Sequence, residues 1–378
     1  MLRIISALLA CIVIVAAADV WASFDDRASR IYDGVAAIEA ELDHAEPTSA
    51  EAPQVFALTN PKPAPLTLPQ VKERVQLGPF SHVWQTLGNC GPATLSMLLS
   101  YYSVRRSQAE IAKVVKPRTT DPSVHISQLA EYAQGLDFGT RVGVNGSLDM
   151  VMGMLSLDIP VMVTHLYNYD GGTEHFRLVK GYDRAKRALT FEDSLTGPNQ
   201  TLGFAQFDAV WQPSNRAYLL VYPLEKEALV AAVLGDDWDE ATMRARALAA
   251  AEEWVAREPK NAFAHFVLGE SRLALGQAAA AWSAYERAFA LGMPRRTLWY
   301  NQGPVEALVQ GGSYAEALRL IESTLAIAPD VEELHYLRGR VLDGLGRAAE
   351  AWQAYARALA IRPNYAAVQQ ALAAKPGP

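Results

Sequence analysis

Cysteine is almost missing from this chain. Its 378 residues hold two, Cys11 and Cys90, so at most one disulfide can form. Basic runs are missing as well: 34 Lys and Arg against 41 Asp and Glu give a net charge of −7. That excludes a nucleic-acid surface of the usual basic kind. No group of His, Cys, Asp and Glu has metal-ligand spacing, so neither a metal nor any other cofactor is expected. The longest apolar run falls short of the about 20 residues that a spanning helix needs. Apolar residues, by contrast, make up 50% of the chain. That is enough for sizeable cores in two or three domains.

The N-terminus reads MLRIISALLACIVIVAAADVWAS. One Arg precedes an apolar stretch from Ile4 to Ala18, and small residues follow. This is the layout of a secretory signal over residues 1–22, cleaved after Ala18 or Ala22. The expectation is an exported protein, periplasmic or extracellular. A retained segment giving membrane attachment is the alternative. A lipid-modified Cys11 fits less well, because the apolar run continues for seven residues beyond it. Cleavage would remove Cys11 and leave Cys90 with no partner in the chain. A lone cysteine in an oxidising compartment is a reactive thiol, an intermolecular link or a buried small hydrophobe.

Residues 23–69 form a linker region. A weak helical pattern spans 24–45, and six prolines fall within 46–69. In residues 70–223, helical patterns (92–102, 107–115, 125–134) precede strand patterns (159–165, 175–181, 188–193, 217–222), which suggests an α+β domain. After Pro223 the chain is alanine-rich and helical to its end. Gly235, Gly269, Gly303 and Gly339 recur at intervals of 34, 34 and 36, and so do Ala247, Ala281, Ala315 and Ala351. Pro259, Pro329 and Pro363 close units, and Pro294 does so one residue out of step. Residues 225–372 thus resemble the tetratricopeptide repeat, an all-α solenoid whose stacked units bury a shared core. The first unit, 228–261, is degenerate and reads as a cap. Such an array implies a concave surface for a peptide or partner protein. A purely structural shield for the preceding domain is the other reading.

The stretch QTLGNCGPATLSMLLSYY holds Cys90 at a helix start. Asn89 is a good N-cap type, and Pro92 is tolerated in a first turn. There the helix dipole favours thiolate, the nucleophilic form. A base is then needed, and seven histidines compete. His44 precedes the linker, His125 opens a helix, and His265 and His335 belong to the repeats. His175 opens the strand HFRLVKGYD, and ALTFEDS follows after a turn. A hairpin centred near residue 184 would set Asp193 opposite His175, the arrangement in which a carboxylate orients an imidazole. His165, ending VMVTH, is the competing base. Its nearest downstream acid, Asp170, lies in a loop. Gln85 could donate to a developing oxyanion together with the Cys90 backbone N–H.

These motifs, Gln85, NCGPA, HFRLVKGYD and EDSLTG, resemble those of the papain-like cysteine peptidases that process bacteriocins at double-glycine leaders. The resemblance covers roughly residues 75–222. It implies a papain-like α+β fold with Cys90 as nucleophile, His175 as base, Asp193 as orienting acid and Gln85 in the oxyanion hole. Asn89 stands where that family often has Asp. The expected protein is an exported cysteine peptidase acting on a peptide or protein, with a repeat domain that binds substrate or partner. The alternative is a catalytically idle fold that serves assembly through its repeats. Acyl transfer by the same thiol is a third reading.

Overall fold

Helix α1 (Cys90–Tyr101) is apolar on nearly every side, and such a helix is stable only in an interior. Ala93, Leu95 and Met97 to Leu99 accordingly have no exposed surface. A computed structural model describes residues 70–116, 124–168 and 173–374. The expected signal (1–22, with Cys11), the linker region (23–69, with His44) and Asp170 lie outside the described residues. Among those described, no helix is long and apolar enough to cross a membrane.

Helices α2 (Gln108–Val115) and α3 (Ile126–Gln134) follow α1. The strands are β1 (Arg74–Gln76), β2 (Phe138–Gly143), β3 (Val161–Asn168), β4 (Thr173–Asp183), β5 (Ala188–Asp193), β6 (Gly197–Gly203) and β7 (Tyr218–Pro223). Among the described residues they form one antiparallel sheet in the order β2–β7–β3–β4–β5–β6, and β1 pairs the far end of β4. Alternate strand residues point to opposite faces. Met162, Leu178 and Leu219 meet α1, α2 and α3 on one face. Val161, Val179 and Leu220 meet α4 (Leu148–Ser156), α5 (Phe204–Trp211) and α6 (Glu227–Leu234) on the other. The domain is α+β, as expected.

Some elements were not anticipated. Strand β2 interrupts the helix-then-strand order. Its sequence, FGTRVG, lacks an apolar alternation because its partner strand fills the gaps. A β-carbon at Gly139 would come within 2.3 Å of the Tyr222 ring, and one at Gly143 within 2.2 Å of Tyr218. Strand β6, GPNQTLG, lies at the sheet edge with only Gly197 buried, so nothing apolar marks it.

The β4–β5 hairpin also differs from the expected register. Asp183 pairs with Ala188, not Arg184-centred partners, and after a bulge Leu178 pairs with Glu192. Continuing one step sets Asp193 opposite Arg177. His175 lies two residues farther along the same face.

The remainder is helical: α7 (Glu240–Arg257), α8 (Ala262–Ala274), α9 (Ala278–Ala290), α10 (Gly303–Gln310), α11 (Tyr314–Leu325), α12 (Glu332–Gly344), α13 (Ala348–Ile361) and α14 (Ala366–Ala373). Gly269 and Gly339 are packing positions. A β-carbon there would lie 2.6 Å from the Tyr285 ring or 2.4 Å from the Tyr355 ring. The repeat spacing needs correction in the third unit. Ala317, not Ala315, is buried there, and Val305 and Ile321 occupy the places of the Gly–Tyr pair. The extra length lies in the segment after α9, which contains a short 3₁₀ turn, Arg295–Trp299. Gly235 is no packing glycine: it has φ 58° at the end of α6 with open space beside it. His265 and His335 each bond the carbonyl of a unit-closing proline, Pro259 and Pro329, which accounts for both histidines structurally.

Candidate active site

Cys90 is the first residue of α1, so its thiol sits where the helix dipole favours negative charge. Asn89 occupies the cap position, yet its side chain caps nothing. Its Nδ2 donates to Thr86 Oγ1 at 2.7 Å. Gly91 lets α1 approach the sheet, because a β-carbon there would fall 2.5 Å from Val124 Cγ1 and 3.3 Å from the Phe176 ring. One turn on, Thr94 Oγ1 donates to the Phe176 carbonyl at 3.3 Å. Phe176 follows His175, so these contacts fix the thiol against the imidazole.

His175 is buried, with 4% of its surface exposed. Its Nε2 lies 3.0 Å from Asp193 Oδ1, and its other nitrogen, Nδ1, is left for the hydrogen bond with the Cys90 thiol. Asp193 is wholly buried and fully satisfied. Oδ1 also accepts from the backbone N–H groups of Leu195 and Thr196 at 2.8 and 3.0 Å, and Oδ2 accepts from Arg177 Nε at 2.5 Å. Arg177 escaped the sequence reading. The signal for it is the period of two: residue 177 shares a strand face with residue 175.

The charges follow from these contacts. Burial opposes ionisation of all three groups. For Cys90, the hydrogen bond and positive charge of His175, with backbone hydrogen bonds at Phe176 and Gly91, outweigh burial and lower the thiol pKa. For His175, burial pulls down, but the hydrogen bonds to Asp193 and Cys90 and their negative charges raise it to about 9. For Asp193, burial pushes up, and His175, the backbone donor Leu195 and Arg177 hold it well below the usual carboxylate range. These contacts favour a thiolate facing an imidazolium over the neutral pair.

His165 is Cα partner to His175 on the neighbouring strand, with ring centroids 5.6 Å apart. Burial, then the charges of Arg177 and His175, push it down to about 3, so it is neutral at pH 7. Its Nδ1 contacts its own strand, at the Leu166 carbonyl. Gln85 is bound to the residue after Asp193: its N–H donates to the Ser194 carbonyl at 2.9 Å, and its Oε1 accepts from Ser194 Oγ at 2.8 Å. That leaves the amide Nε2 as the donor end. His125 sits at the start of α3, and its N–H donates to Gln128 Oε1.

Cys90 borders a cavity of about 800 Å³ whose walls come from the sheet domain and from the repeats. The two belong to one compact unit, and Arg296 Nη2 of the repeats donates to Thr173 Oγ1 of β4 at 2.7 Å. Among the described residues no three His, Cys, Asp or Glu side chains converge on a metal position.

Residues 70–219 match the model of the peptidase C39-like family, and residues 308–375 match a tetratricopeptide-repeat model. No curated protein matches the chain. Among solved structures, the chain is similar to the peptidase domain of Streptococcus ComA, a bifunctional ABC transporter of a quorum-sensing pathway. That match has 19% identity, covers 37% of this chain and 96% of that one, and has a TM-score of 0.32. It is similar to a double-glycine-motif protease from an AMS/PCAT transporter, solved with its leader peptide, at 14% identity over 39% of this chain and 94% of that one, TM-score 0.31. It is also similar to MamA from Desulfovibrio magneticus RS-1, at 21% identity over 35% of this chain and 74% of that one, TM-score 0.32. By its family-model matches, the chain joins a peptidase C39-like segment, residues 70–219, to a tetratricopeptide-repeat segment, residues 308–375.

Proposed function

We propose that this protein is a cysteine peptidase, exported, whose repeats hold a peptide substrate or a partner protein. One observation carries the reading: a single buried imidazole hydrogen-bonded to a clamped carboxylate on one side and to a helix-start thiol on the other. The Cys90 thiolate attacks the scissile carbonyl carbon, and the carbonyl oxygen takes up the charge. Gln85 Nε2 and the Cys90 backbone N–H donate to that oxygen. As the C–N bond breaks, His175 gives its Nδ1 proton to the leaving amine. Water then attacks the thioester and passes a proton to His175. The acid leaves, and thiolate and imidazolium are restored. Asp193 keeps the ring oriented throughout and stabilises its charge. The exported location rests on the apolar segment over residues 1–22.

The test is digestion of a mixed peptide pool by the full chain and by Cys90→Ala, read by mass spectrometry. Products from the first alone, with unchanged circular dichroism in the second, are expected. Equal products from both would contradict the assignment. No products from either would favour the idle fold.

A further inference from the structure

The cavity beside Cys90 has an acidic wall that the peptidase reading does not use. Glu174, the residue before His175, lines it from β4, and Glu270 lines it from α8. Glu270 feels the charge of Glu174. Among the described residues neither makes an ion pair. Glu270 Oε1 accepts from Asn301 Nδ2 at 2.6 Å, and Ser214 Oγ, also on the cavity wall, has no hydrogen-bond partner among the described residues. The cationic side chains on the cavity wall are already engaged. Arg244 binds Glu240, and Arg296 donates to Thr173. A further wall carboxylate, Glu306, is matched by Arg340.

A second observation is independent of the acids. Ser271, 3% exposed, lines the same cavity, and its Oγ has no hydrogen-bond partner among the described residues. A buried hydroxyl left without a partner loses the hydrogen bonds it would make to water. A ligand group with N–H donors would supply one. Glu174 is exposed and Glu270 half-buried; burial raises the Glu270 carboxyl to about 8, with the Glu174 charge adding to the effect. Two carboxyls facing one space resist ionising together, and a cation between them relieves that.

We propose that this cavity seats a positively charged group of the peptide, a lysine or arginine side chain or a free amino terminus, between Glu174 and Glu270 beside the bond presented to Cys90. The substrate class is then a peptide with a cationic group near the scissile bond. Both domains build the seat, which gives the repeats a direct part in selection. The segment that lengthens the third repeat unit contributes Asn301, the partner of Glu270, and Arg296, the link to β4.

The assignment rests on the peptidase reading for its substrate, and the test separates the two. Full-length Cys90→Ala, which turns nothing over, is mixed with N-acetylated octapeptide pools carrying lysine or norleucine at one fixed position. A third pool carries norleucine and a free amino terminus. Retention is read by ultrafiltration and mass spectrometry. Lysine should be retained about tenfold more than norleucine, and Glu174→Gln with Glu270→Gln should erase the difference. A preference shown only by the free-amino pool, erased in the same way, supports the seat and names the terminus as its occupant. Equal retention of all pools, no retention of any, or a preference that survives both substitutions overturns it. Circular dichroism and the single variant Glu174→Gln guard against a folding defect. Wild-type chain on the same pools reads hydrolysis separately. Binding without cleavage contradicts the peptidase reading and leaves the seat standing. Cleavage with no charge preference contradicts the seat and leaves the peptidase standing.

Discussion

Arg177 Nε donates to Asp193 Oδ2 at 2.5 Å, on the oxygen that His175 does not use. The carboxylate that meets the imidazole is therefore held from two sides at once. Arg177→Met would leave a buried carboxylate with one cation fewer. Breaking a buried pair this way destabilises by about 3–5 kcal/mol. Urea denaturation at pH 7 should show a loss of that order. Adding Asp193→Asn should recover part of it, because an amide leaves no buried charge. Fully additive losses in the double variant would contradict the clamp.

Asp193→Asn alone should lower the His175 pKa, because it removes the charge and keeps the shape. Hydrolysis near neutral pH should then fall by about 10²–10⁴-fold. The stability effect has a definite sign. His175 has a folded pKa of about 9 against 6.5 ordinarily, so its contribution is complete below 6.5 and fades as pH rises through 9. Asp193 is depressed from 3.8, so its contribution is complete above that value and fades as pH falls below it. The stability gap between wild type and Asp193→Asn should therefore be widest between 3.8 and 6.5. A gap that grew above pH 9 would contradict the assignment.

Gln85→Ala should lower kcat by about 10²–10³-fold, the usual loss for one oxyanion donor. Alkylation of Cys90 by iodoacetamide, which forms no oxyanion, should keep its rate. A parallel fall in both would mean that Gln85 acts by holding Ser194 and the loop, not by donating to the reaction.

In the repeats, Gly339→Val forces atoms into the Tyr355 ring, 2.4 Å from the site of the first added carbon. Overpacking of this kind costs about 1–3 kcal/mol. Thermal melting should shift down accordingly. The same change at Gly235, where nothing lies within 4 Å, meets no ring, and any loss there reflects its φ of 58°.

How far the sequence could be read depended on where the physical signal lay. Helix α1 was legible because its apolar run and its cap-type residues agree. The β4–β5 pair was legible as a hairpin, but its bulge was not, since bulges leave no mark on an apolar alternation. The contact between His175 and Asp193 survived that slip because both lie on one strand face, within reach along a diagonal. Arg177 carries no sequence signal beyond sharing a strand face with His175. Strand β2 was invisible because Tyr218 and Tyr222 supply the bulk that its glycines lack. The third repeat unit was misaligned because Gly303 and Ala315 mimic the packing pattern, while Val305 and Ala317 fill those places. Glu174 and Glu270 are 96 residues apart, and only the packing of the repeats on the sheet domain brings them to one cavity.

The central claim is that His175 holds Cys90 as a thiolate. It is tested most directly by the pH dependence of iodoacetamide alkylation at Cys90, in wild type and in His175→Ala. The expected result is fast labelling of wild type at pH 6, where an ordinary thiol of pKa about 8.5 is almost fully protonated, with that labelling lost in His175→Ala. Slow labelling at pH 6 in both, rising only near the ordinary thiol pKa, would contradict the thiolate–imidazolium pair and the chemistry built on it.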